Sequence, residues 1–199
     1  MKLGTLFSGH RGFTLVEMLV TVAIAAILAA VAVPMLSGFL ARSQMNAVVN
    51  DFTGAMQYAR MEAVSRNRCV SVCRRAESSQ TCAASDGSWR AGWLVFENPN
   101  CSGSVDATDP PAGTLLRARD PGPESMAING EKGDAPEVIV FTPRGIVLNG
   151  FTTMAFTDTR GSNGAGERLI AVSRSGRVVA TNRETPPAGS GETVAAGSE

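Results

Sequence analysis

The side chains able to do chemistry in this 199-residue chain are four cysteines, one histidine and a cation set made almost wholly of arginine. His10 is the sole histidine, so a Ser-His-Asp triad, a Cys-His pair or a histidine-bearing zinc site would each have to run through it. That requirement nearly excludes standard hydrolase chemistry. No clustered pair of carboxylates stands in for it, and neither enzymatic activity nor a cofactor is expected.

Cys69, Cys73, Cys82 and Cys101 are separated by three, eight and eighteen residues, spacings that fit four-cysteine zinc motifs poorly. As disulfides they allow three pairings. The alternation Cys69-Val70-Ser71-Val72-Cys73 reads as a strand, which holds the first two Cα atoms about 13 Å apart, beyond disulfide reach. Two pairings remain: 73–82 with 69–101, or 69–82 with 73–101. The first is preferred, because residues 74–81 make a reasonable closed loop.

Eighteen basic side chains balance eighteen acidic ones, which rules out holding nucleic acid through overall charge. All the basic residues but Lys2 and Lys132 are arginine, and two local excesses stand out. Arg66, Arg68, Arg74 and Arg75 lie between Glu62 and Glu77 with no acid among them. Arg168, Arg174, Arg177 and Arg183 lie likewise between Glu167 and Glu184. Such arginines can grip phosphate bidentately without reading a sequence. The alternative is a strand edge charged against edge-to-edge pairing. No aromatic residue accompanies 168–183, so base stacking has no platform there.

Positioning these groups begins with an apolar run. Residues 18–35, MLVTVAIAAILAAVAVPM, carry no charge and as a helix span about 27 Å, close to the thickness of a bilayer core. Lys2, His10 and Arg11 precede it, which places the amino end in the cytoplasm and the remainder outside, where disulfides persist. A cleaved secretory signal would break after small residues such as Ala30-Val31-Ala32. This run instead continues through Pro34, Leu36, Phe39 and Leu40 into a helical pattern, with Met45, Val48, Val49, Phe52, Met56, Ala59 and Ala63 on one face. One long helix is predicted over 13–65, half in membrane and half on a sheet. Glu17 is its anomaly: a carboxylate in hydrocarbon costs roughly 2.5–3.5 kcal/mol at mid-membrane and less near the interface, unless it snorkels or finds a partner.

Gly12-Phe13-Thr14-Leu15-Val16-Glu17, after a short basic leader, resembles the class III signal of type IV pilins, with Pro34 where pilin helices commonly kink. The resemblance implies that a prepilin peptidase cuts between Gly12 and Phe13 and that Phe13 is then amino-methylated. It also implies that Glu17 meets the charged amino terminus of a neighbouring subunit during assembly. An ammonium from another chain would offset the desolvation of that carboxylate.

Beyond the helix, β-rich runs are predicted at 69–73, 92–96, 137–142, 151–157, 168–173 and 177–181, with 114–118 a weaker one. Spacers rich in Gly, Pro, Asp and Ser occupy 98–113 and 120–136. A helix followed by strands argues an α+β fold, the long helix packed on a mostly antiparallel sheet. The organisation expected is a leader at 1–12, a membrane or filament-core helix half at 13–40, a head at 41–183 and a disordered tail at 184–199. Ser65-Arg66-Asn67-Arg68, WRAGWLVF at 89–96, Phe141-Thr142-Pro143-Arg144-Gly145 and Ser175-Gly176-Arg177 look like the GspH/FimT (FimT/FimU-like) branch of minor pilins. That resemblance implies a single-pass protein of the bacterial inner membrane, its head in the periplasm, that enters a pilus tip beside other minor and major pilins. The same-fold alternative is a GspH-like pseudopilin of type II secretion. Some FimT members bind DNA through a closing Gly-Arg-x-Arg. This chain has Gly176-Arg177-Val178-Val179, so Arg174 or Arg183 would have to supply the second cation.

Overall fold

The computed structural model describes residues 13–77, 79–83, 88–103, 113–130, 135–148, 150–160 and 166–183; the leader at 1–12 and the tail at 184–199 lie outside them. Two compact units divide the chain, Met1–Phe39 and Leu40–Glu199. A single helix, α1 (Leu15–Arg66), contributes to both.

α1 opens with a cap written in its own sequence. Thr14 Oγ1 accepts the Glu17 N–H at 3.2 Å, and Thr14 O accepts the first helical bond from Met18 at 3.2 Å. A Thr followed three residues later by Glu is the capping-box pattern, and a carboxylate in the first turn also suits the helix dipole. The helix ends as definitely. Asn67 takes a left-handed φ of 52°, the Arg68 N–H reaches Ala63 O and the Asn67 N–H reaches Val64 O. This is a Schellman closure with Asn in the place usually held by Gly. Within the first unit the described large apolar side chains, from Phe13 to Phe39, are exposed, and this stretch is long and apolar enough to cross a membrane.

Among the described residues of the second unit, eight strands form two antiparallel four-stranded sheets where one had been expected. The first has the order β3 (Leu115–Arg119), β2 (Trp93–Glu97), β1 (Val70–Arg74), β5 (Val138–Phe141). The second has the order β4 (Met126–Gly130), β6 (Thr152–Asp158), β7 (Glu167–Val172), β8 (Val178–Arg183). β4 falls inside the spacer expected at 120–136. Its Met126 and Ile128 are buried, and pairing with β6 in register Ile128↔Phe156 supplies the hydrogen bonds that its short, Gly-ended sequence does not advertise.

Both sheets turn one face to the same core as the helix stripe. Phe52 sits at its centre, with edge-on contacts to Trp89 (5.5 Å), Trp93 (5.2 Å) and Phe156 (5.3 Å). Polar ties fasten the helix along its length. Arg168 Nη2 reaches Asn46 Oδ1 (3.0 Å), Arg119 Nε reaches Asp51 Oδ2 (3.0 Å), Arg60 Nε reaches Gly145 O (3.0 Å) and Arg66 Nη1 reaches Glu97 Oε1 (2.8 Å).

The first sheet is buried on its far side too. All five β1 residues are buried, because Cys69, Cys73, Cys82, Leu94, Phe96, Val138 and Val140 form a second apolar cluster away from the helix. Disulfide-tied segments take part in that cover. Cys69 bonds Cys101 and Cys73 bonds Cys82, with Cα atoms 5.3 and 5.7 Å apart. Asn98 sets the turn before Cys101: its amide donates to buried Ser71 Oγ and to Ser102 O, each at 2.8 Å. The Arg75–Cys82 bridge, with Ala83 N–H to Arg74 O at 2.8 Å, closes the shorter loop.

Candidate interaction site

The described part of the amino-terminal motif starts at exposed Phe13, immediately before the helix cap, and Glu17 stands in the first turn among exposed Leu15, Val16, Met18 and Leu19. Gly12 lies outside the described residues; Pro34 continues the α1 backbone, and its side chain is outside them as well.

Three of the four arginines of the first excess are taken up within the chain, and Arg68 stays exposed. Arg66 hydrogen-bonds Glu62 and Glu97, which in that order raise its pKa above the usual arginine value. Arg74 is buried 3.7 Å from Glu137, and Arg75 meets Asp120 at 2.6 Å. Arg160, which sequence reasoning passed over, forks onto Asp158 through Nε (2.9 Å) and Nη2 (2.7 Å), and that bonding raises its pKa likewise.

The second excess is split by the β7–β8 hairpin. Arg168 lies toward one end, its guanidinium turned to Asn46 on the helix, and there the Arg183 backbone pairs opposite Glu167; the Arg183 side chain is outside the described residues. Arg174 and Arg177 flank the turn at the other end, both exposed. The two pairs therefore do not form one strip.

At the turn the structure assembles something the linear pattern did not show. The Val147 N–H donates to Arg174 O at 2.9 Å, which sets the turn after β5 against the turn after β7. Gly145 and Gly176 meet there with φ of 72° and 74°, a left-handed region where a Cβ is strained. A Cβ on Gly176 would come within 2.2 Å of Gly145 O, and one on Gly145 within 3.1 Å of Arg60 Nε. These contacts explain why both turns are written with glycine. Exposed Arg144 lies beside this contact, so Arg60, Arg144, Arg174 and Arg177 converge on neighbouring segments, and none is ion-paired among the described residues.

Beside them runs a groove of about 560 Å³ lined by Gln57, Arg60, Met61, Val64, Ser65, Gly176, Arg177 and Val178. Arg60, Met61 and Val64 were not singled out by sequence, and Arg144 entered only as part of the 141–145 motif. Met61 and Val64 lie off the buried helix stripe yet are apolar, the one signal that could have marked them.

Residues 48–176 match the family model described as type II transport protein GspH, and residues 7–33 match the prokaryotic N-terminal methylation motif. Over 50 residues the chain is 47% identical to the type IV major fimbrial protein FimA of Dichelobacter nodosus. That stretch is 25% of this chain, which thus spans only 31% of the length of the curated relatives it matches. Among solved structures, the type IV minor pilin FimU of Pseudomonas aeruginosa superposes with a TM-score of 0.51 at 23% identity, covering 71% of this chain and 90% of that one. The minor pseudopilin EpsH of the Vibrio cholerae type 2 secretion system aligns at 10% identity with a TM-score of 0.47, covering 70% and 97%.

Proposed function

Because the chain belongs to the family described as type II transport protein GspH, we propose that it is a processed, membrane-anchored minor subunit of a type IV filament, acting in assembly and in the tip complex. The observation that carries this reading is the exposed apolar helix of the first unit. From Leu15 to Phe39 it offers large side chains that need lipid or neighbouring helices, with a single carboxylate at Glu17 and a methylation motif at its start. A type IV pilus is the apparatus we favour, supported by the stretch shared with FimA. A pseudopilus of type II secretion would use the same helix in the same way.

Maturation is directly measurable. Intact-mass analysis of the chain extracted from its membrane should show loss of residues 1–12 and one methyl added to the new amino terminus at Phe13. An uncut chain, or one cut after Ala32, would overturn the reading.

A second reading, DNA capture, rests on the convergence of exposed Arg144, Arg174 and Arg177 without carboxylate partners among the described residues. Phosphate contacts make affinity fall with salt, by roughly 0.9 in log–log slope per contact. Full-length chain in detergent should bind duplex DNA, and Arg174→Ala with Arg177→Ala should lower that slope by about 2. Absence of binding at low salt removes this reading and leaves assembly standing.

A further inference from the structure

We propose that the acidic segment 184–199 of this chain docks back into the groove between the last turns of α1 and the β7–β8 turn. The groove has an apolar side left open to solvent: Met61 is 62% exposed and Val64 52%. Its rim is cationic. Arg60 and Arg177 line it, Arg174 sits in the adjoining turn and Arg144 in the turn that touches it, with no ion pair to any of the four among the described residues.

The segment that follows β8 has the complementary chemistry. It carries Glu184, Glu192 and Glu199 and no Lys, Arg or His, and it includes the small apolar run Val194-Ala195-Ala196. It also starts close enough. Val178 lines the groove and Arg183 ends the same strand, about 17 Å away at ~3.3 Å per residue. The nine residues from Arg183 to Glu192 reach up to ~30 Å when extended, enough to return. Tethering raises the local concentration of the segment to the millimolar range, which lets weak exposed ion pairs hold it part of the time. Docked there, it shields Arg177 and Arg174 until a partner or a polyanion displaces it.

Phenylglyoxal modification of arginine, read by peptide mass spectrometry on the full chain in detergent, tests this. At low salt Arg177 should react about fivefold more slowly in the full chain than in a chain ending at Arg183. The full-length variant Glu184→Gln/Glu192→Gln/Glu199→Gln should react as fast as the shortened chain, while exposed Arg42 reacts equally in all three. The protection should vanish near 1 M salt, where the Debye length is about 3 Å. A synthetic 184–199 peptide should restore it to the shortened chain. Equal Arg177 rates at low salt overturn the proposal. So does protection that survives shortening and grows with protein concentration, which would assign the groove to a second copy. Neither outcome depends on DNA binding or on maturation.

Discussion

Glu17→Leu should leave the chain in the membrane and remove it from filaments. The Thr14 cap survives the change, since its bond is to the backbone N–H of residue 17 and not to the carboxylate. What the helix loses is a favourable charge in its first turn, worth about 0.3–1 kcal/mol, while insertion into lipid becomes easier. What assembly loses is larger. A carboxylate paired with a neighbour's ammonium inside an apolar bundle is relieved of a penalty whose upper bound is roughly 2.5–3.5 kcal/mol, and at 1.4 kcal/mol per decade this is up to about a hundredfold in occupancy. Quantifying the subunit in sheared filaments against the membrane fraction reads the effect. Glu17→Gln, similar in size but uncharged, should fail nearly as badly. Normal incorporation of either variant would mean that Glu17 serves only the start of its own helix.

The second large effect concerns the far face of the first sheet. Loop-closure arithmetic gives about 4 kcal/mol for the 69–101 bond and about 3 kcal/mol for the 73–82 bond. The loops are nested, so the sum is an upper bound, but either value is a large share of the 5–15 kcal/mol typical of a domain. Cys69→Ser/Cys101→Ser should make the head far more open to protease, with cleavage rates at limiting protease rising about a hundredfold or more. The cut sites should appear around Leu94 and Phe96, whose cover is released. Reduction of the unmodified chain should reproduce the change. A reduced head as resistant as the oxidised one would show that the second apolar cluster holds its cover without covalent help.

Much of this architecture was legible in the sequence because its signals are local. The helix stripe from Met45 to Ala63 is buried as its spacing required, and the strongly alternating runs became strands within a residue or two of their expected bounds. β4 was not legible, since Met126-Ala-Ile-Asn-Gly130 has two large apolar residues and its worth lies in pairing with β6, far along the chain. Division into two sheets was hidden for the same reason: β5 joins β1, some seventy residues earlier. Arginine counting failed as a guide to open charge. Sequence distance does not show that Arg66 finds Glu97, that Arg75 finds Asp120, or that Arg60 meets two glycine turns.

The ties along α1 carry a mechanical consequence. From Ala41 to Ala63 the buried stripe is about 33 Å long at ~1.5 Å per residue, and polar clasps fasten it at Asn46, Asp51, Arg60 and Arg66. A pull along the axis must slide this whole row past its neighbours together, with Phe52 wedged among three rings. The load is shared in shear and not peeled one contact at a time, so rupture requires many bonds to fail at once. A head built this way resists tension best along the direction in which its own helix would tug.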